Sequence, residues 1–179
     1  MKIFLGIIIA FGGIIVVFLI IGIFVKKDYS VAREVVIDKP KKNVFDYLKF
    51  LKNQSKFNVW SSIDPAMKTE YRGNDGHEGF VSAWDSDNKD AGKGEQEILK
   101  IVEGERIDYE IRFLKPFKST SWAFITTASF NSNKTLVHWE FNGKMKYPTN
   151  LTLIFMNMEK LVGKDLATGL DNLKVLLEK

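Results

Sequence analysis

The sequence predicts an α+β chain: a curved antiparallel sheet of about six to seven strands on one long C-terminal helix, preceded by a transmembrane helix. Between Tyr29 and Met145, short runs of alternating apolar and polar residues are separated by turn residues, the pattern of a strand meander. From Leu151 to Leu177, apolar residues recur at spacings of three and four, which marks one face of a helix. From Ile3 to Val25 there is no charged residue at all. The boundaries that follow are an anchor over 1–27 and one domain over 28–179.

Composition narrows the function classes. The chain has 179 residues, enough for one ordinary domain plus a small addition. It has no cysteine, which excludes disulfides, thiolate metal sites and cysteine nucleophiles. Twenty-six basic and 22 acidic residues are mixed along the chain for a net charge of +4, without the clustering of a nucleic-acid binder. Aromatic residues make up 13%, with fourteen Phe and four Trp, so there is material both to fill a core and to wall a cavity.

The uncharged stretch Ile3–Val25 is long enough for a hydrocarbon core of about 30 Å. A cleaved signal peptide would have a shorter apolar region and a small-residue cleavage site, and Phe24-Val25-Lys26 offers none. The expectation is a single-pass cell-membrane protein. Lys26, Lys27 and Arg33 outweigh Lys2 and the terminal amine, which places the domain on the cytoplasmic side.

Val31, Arg33, Val35 and Ile37 alternate with their neighbours as a strand does. Asp38-Lys39-Pro40 turns the chain into a helix with the stripe Val44, Phe45, Leu48 and Leu51. Lys52–Trp60 adds a turn or two of shorter helix, and Asp64-Pro65 breaks it. Strands are then expected over Met67–Arg72, Gly79–Ser86, Glu95–Glu103, Arg106–Leu114, Ser121–Phe130 and Thr135–Met145. After Tyr147-Pro148 the final helix, capped by Thr149 or Asn150, would run to Leu177, on the order of 40 Å at about 1.5 Å per residue. Gly163 and Gly169 in its middle point to another backbone passing close by.

This order of elements, with Lys115-Pro116-Phe117 between the fifth and sixth strands, resembles the START-like (SRPBCC) superfamily of polyketide cyclases/dehydrases and lipid-transport proteins. The resemblance is carried by Val36–Pro40 with Val44–Tyr47, Val59-Trp60-Ser61, Glu105-Arg106-Ile107, Val137-His138-Trp139 and Met158–Asp165. It spans roughly Val31 to Leu177 and implies a helix-grip fold, with an apolar ligand carried between the long helix and the curved sheet.

No catalytic constellation stands out from the residues themselves. His77 lies in a turn, and His138 alternates with Glu140 on one strand face without a third metal ligand. Glu95, Glu97, Asp108 and Glu110 alternate with apolar residues, as on the outer face of a sheet. Lys39–Lys42 and Lys49–Lys56 read as solvated helix faces that an anchor could bring near anionic lipid. The candidate cavity-lining residues are Trp84, Tyr109, Phe113, Trp122, Trp139 and Met158, with the Tyr hydroxyl and the indole N–H groups as polar handles. The functional expectation is a membrane-anchored domain binding an apolar or lipid-like small molecule, with no cofactor, metal or nucleic acid. A cyclase- or dehydratase-type enzyme using the same cavity is the first alternative, and a partner-binding scaffold with a filled core is the second.

Overall fold

Alternation along seven runs builds one antiparallel sheet in the computed structural model, which describes residues 2–179. The strands are β1 (Asp28–Ile37), β2 (Lys68–Arg72), β3 (Val81–Asp85), β4 (Lys93–Val102), β5 (Arg106–Lys115), β6 (Ser119–Asn131) and β7 (Lys134–Lys144). Their spatial order is β1-β7-β6-β5-β4-β3-β2: a meander from β2 to β7, with β1 closing against β7. Asp28 pairs with Lys144, so β1 begins directly after Lys26-Lys27.

The register puts Val31 and Ile37, Ile107 and Tyr109, Ala123 and Ile125, and Val137 and Trp139 on one buried face. The other face is polar. The helix α1 (Lys2–Phe24) precedes β1, α2 (Lys41–Leu48) follows it, and α3 (Met158–Glu178) ends the chain. Val44, Phe45 and Leu48 of α2 and Leu166, Leu170 and Leu173 of α3 are fully buried against the sheet.

α3 is lashed along β1. Arg33 crosses the bare face at Gly163 to reach the Glu159 carboxylate at 2.6 Å. At the other end Glu178 accepts a hydrogen bond from the Asp38 amide at 2.7 Å, and Lys174 donates to the Val36 carbonyl at 2.5 Å. At Gly169, an added Cβ would stand 3.0 Å from the Trp139 ring and 3.7 Å from the Phe57–Asn58 backbone, so the tight neighbours at the two glycines are the side chains of Arg33 and Trp139 rather than a backbone.

The single long final helix does not form. Thr149–Ile154 makes a separate 3-10 turn, and α3 begins only at Met158, where the Asn157 side chain accepts the Lys160 N–H at 2.9 Å. Asn150 is fully buried, and its amide nitrogen donates to the carbonyls of Gly22 at 2.7 Å and Val25 at 3.0 Å. These are terminal carbonyls that a helix leaves without internal partners. Asn150 therefore caps α1 instead of starting α3, and the apolar pattern at Leu151 follows from packing of that side chain near Gly22.

α1 takes in nearly all of the uncharged stretch. Part of the expected anchor falls on residue 1 and on the side chains of residues 2, 3, 5 and 7–10, which lie outside the described residues. Among the described residues no helix is long and apolar enough to cross a membrane, so they do not support the expected anchor.

The α3 contact is expected to dominate stability. Leu170→Ala should cost about 2–5 kcal/mol, whereas Val175→Ala on the exposed side of the same helix should change stability by no more than about 0.5 kcal/mol. Urea unfolding followed by circular dichroism checks both; equal effects would show that α3 is not packed as described.

Candidate functional site

A helix is about 10 Å across, and seven strands spaced about 4.8 Å apart span nearly three times that. α3 therefore covers mainly β1 and part of β7. The rest of the inner face is roofed by the arm after α2, two 3-10 segments at Leu51–Lys56 and Trp60–Ser62. Between this arm and strands β2 to β7 lies a cavity of about 400 Å³. That is within the range of about 300–1,000 Å³ usual for small-molecule sites.

Trp139 is the hinge point of its wall. Its ring meets Phe57 edge-on at 5.8 Å and Trp60 at 5.9 Å, and its far side abuts Gly169. At the opposite end Trp84 stands edge-on to Phe113 at 6.0 Å and donates its indole N–H to the Ala91 carbonyl at 3.0 Å. Trp84 lies over Gly94, where an added Cβ would also collide with the Arg112 carbonyl at 2.6 Å. Ile111, Ala123, Phe141 and Leu166 add to the apolar lining.

The polar lining is mostly uncharged: Gln54, Asn58, Ser61, Ser82 and Gln96. Gln54 is only 4% exposed, and its amide nitrogen has no hydrogen-bond partner. It sits beside the Tyr109 hydroxyl, yet that hydroxyl too lacks a partner in hydrogen-bonding geometry. Burial pushes the Tyr109 hydroxyl far above its ordinary range, so it stays a neutral phenol. Lys52, Asp64 and Asp90 are the charged residues of the lining. The Asp64 carboxyl is held below its usual range by the Ser86 hydroxyl and then by the Ala66 amide, which leaves it a carboxylate and a weak base.

Of the six lining candidates, Trp84, Phe113 and Trp139 are brought together at this cavity. Tyr109 lies fully buried behind the lining. Trp122 is a correction: it is 43% exposed on the outer face, because its neighbour Ala123 takes the inward position on β6. Met158 is a second correction. It sits at the start of α3 in a shallow groove with Tyr29, Val31 and Phe155, since the cavity lies under the arm and takes only Leu166 from α3. Gln54, Asn58 and Gln96 were missed because a polar residue in a short irregular helix or a strand carries no periodic signal.

The acidic strand residues face outward and pair with arginines: Asp108 with Arg106, and the others around Arg112, with Arg72 also on Glu95. Arg112 donates to Glu95 at 2.7 Å and to Glu97 at 2.8 Å, and it also meets Glu110. His138 lies on the same face, with Nδ1 2.9 Å from Glu34 and its ring stacked on Phe124. Among the described residues no group of three or more His or acidic side chains is placed to hold a metal ion. Lys39–Lys42 follow the end of β1 remote from α1, roughly 30 Å away at about 3.3 Å per residue.

The family described as polyketide cyclase / dehydrase and lipid transport matches residues 28–178. Among curated proteins none matches the chain. Solved structures share the fold at low identity. A Nitrosospira multiformis protein is 16% identical, covering 83% of this chain and 96% of its own, with a TM-score of 0.57. A Chromobacterium violaceum protein is also 16% identical, covering 84% and 97%, with a TM-score of 0.57. Norcoclaurine synthase from Thalictrum flavum, solved with dopamine and hydroxybenzaldehyde, is 9% identical over 84% of this chain and 86% of its own, with a TM-score of 0.59.

The outer-face ion cluster makes stability depend on pH. Glu95 is held below its usual range by Arg72 first and Arg112 second. A lowered folded-state value means stability that is present above the ordinary carboxylate range and lost as pH falls. The urea midpoint should therefore drop between about pH 5 and pH 3, and Glu95→Gln should flatten that slope. An unchanged slope would exclude Glu95 as its source.

Proposed function

We propose, since the chain belongs to the polyketide cyclase / dehydrase and lipid transport family, that its cavity binds a small, uncharged, largely apolar molecule. The observation that carries this reading is Gln54. A buried amide N–H without a partner costs about 1–3 kcal/mol, and a ligand oxygen in the cavity would satisfy it. The apolar and indole walls favour a flat or chain-like body, and the neutral polar groups favour one carbonyl or hydroxyl. A filled-core scaffold fits poorly with a cavity of about 400 Å³.

A synthase- or cyclase-type reaction is the second reading. It is favoured by the fold shared with norcoclaurine synthase and by Asp64 and Asp90 in the lining. Against it, Asp64 is stabilised in its charged form and Asp90 is exposed, so neither is poised as a buried acid.

Anchoring belongs to the same proposal. α1 has 23 residues, about 35 Å of helix, all uncharged after Lys2, and Lys26-Lys27 at its end favour the cytoplasmic side.

Three measurements test this reading. Mass spectrometry of an organic extract of the purified full chain should find a co-purifying apolar molecule. Ala123→Phe fills the cavity from its floor and should abolish binding of the neutral dye N-phenyl-1-naphthylamine while the circular dichroism spectrum persists. Gln54→Leu should weaken an oxygen-bearing ligand about tenfold, the loss of roughly one hydrogen bond, yet leave the fold as stable or more so. Dye binding unaffected by Ala123→Phe would place the site elsewhere.

A further inference from the structure

The antiparallel register sorts the loops into two rims. The start of β1, the end of β7, the start of β6, the end of β5 and the start of β4 lie on one rim, in the order Asp28, Lys144, Ser119, Lys115 and Lys93. α1 enters the sheet at this rim, and Asn150 and the 3-10 turn Thr149–Ile154 are fastened to its last turn there. Two loop tips on the rim carry nearly bare aromatic rings: Phe117 is 82% exposed and Phe155 is 74% exposed. Ile154, Met156 and Tyr147 beside them are also exposed.

The segments that carry these two tips hold lysine and no acidic residue, while the neighbouring β3–β4 connection at the same rim adds Asp85, Asp87 and Asp90, of which Asp85 pairs with Lys93. Phe117 is flanked by Lys115 and Lys118, with no acidic residue from Ile111 to Lys118. From Lys144 to Met158 there are Lys144 and Lys146 and again no acidic residue. Lys26 and Lys27 sit at the exit of α1. Asp28 neutralises only Lys144, at 3.4 Å.

We infer that this rim is a bilayer-contact surface, in which Phe117 and Phe155 insert at the headgroup level of an anionic membrane and the flanking lysines meet lipid phosphates. Aromatic tips ringed by lysine suit the boundary between apolar chains and anionic headgroups. A second copy of the chain would bring like charges together, so self-association is disfavoured. The inference rests on the membrane reading of α1 for its tether, and it adds that the domain itself touches lipid. Trp84, Ala91 and Phe113 lie at the same rim, so one end of the cavity faces the proposed bilayer.

The absence of cysteine makes single spin labels clean. Nitroxides at Ser119→Cys and Met156→Cys leave both tip rings and all the lysines in place, and Ser132→Cys reports the opposite rim. In the full chain reconstituted into vesicles of equal parts phosphatidylcholine and phosphatidylglycerol, the first two should collide with oxygen and lose collisions with a water-soluble nickel chelate. Ser132→Cys should do the reverse. Replacing both rings (Phe117→Ser with Phe155→Ser) should abolish the oxygen bias, and pure phosphatidylcholine should reduce it. Labels at 119 and 156 as open to nickel as the label at 132 would overturn the inference. Alkaline carbonate extraction reads α1 separately: release of the chain sinks the membrane-crossing reading, while the labels still decide whether the rim meets lipid.

Discussion

A seven-stranded sheet with one apolar face is wider than any single helix can cover. Everything else in the domain follows from that mismatch. α3 seals the β1 side, where three leucines are driven fully out of water and one ion pair and two hydrogen bonds fix its position along the strand. The remaining width is left to α2 and to an irregular arm too short to fill it with side chains. The cavity is the volume left over, and Trp139 is the post on which helix, arm and sheet all lean.

The same geometry explains why the strands contribute only uncharged groups to the cavity, its charged residues Lys52, Asp64 and Asp90 coming from the arm and loops. The outer face is open to water and can hold Arg112 among three carboxylates at small desolvation cost. Charges on the inner face would lose that solvent, and the inner positions of β4 and β5 are Gly94, Gln96, Ile98, Ile107, Tyr109, Ile111 and Phe113. Charge and ligand chemistry are thus divided between two sides of one layer, strand by strand.

Much of this was legible beforehand, for definite reasons. Strand number and order show in period-two alternation and turn residues, and the outward acidic residues follow from the same alternation. Gly163 and Gly169 signalled a close approach because glycine is costly within a helix. The break in the last helix was hidden, since Leu151, Ile154 and Phe155 keep helical spacing while packing or projecting for other reasons. Trp122 was misplaced because ring size says nothing of which way a strand residue points; small Ala123, beside it, was the inward one. The arm residues Gln54 and Asn58 depend on tertiary placement alone.

Asn150 has a mechanical meaning beyond its hydrogen bonds. A chain leaving a helix through a free linker would let the domain swivel, but here a buried amide pins the helix end from the far side of the sequence while β1 starts at once. Swivelling α1 against the sheet would then require breaking two hydrogen bonds from one buried side chain. With α1 in a bilayer, that joint would set the angle between the strand layer and the membrane plane.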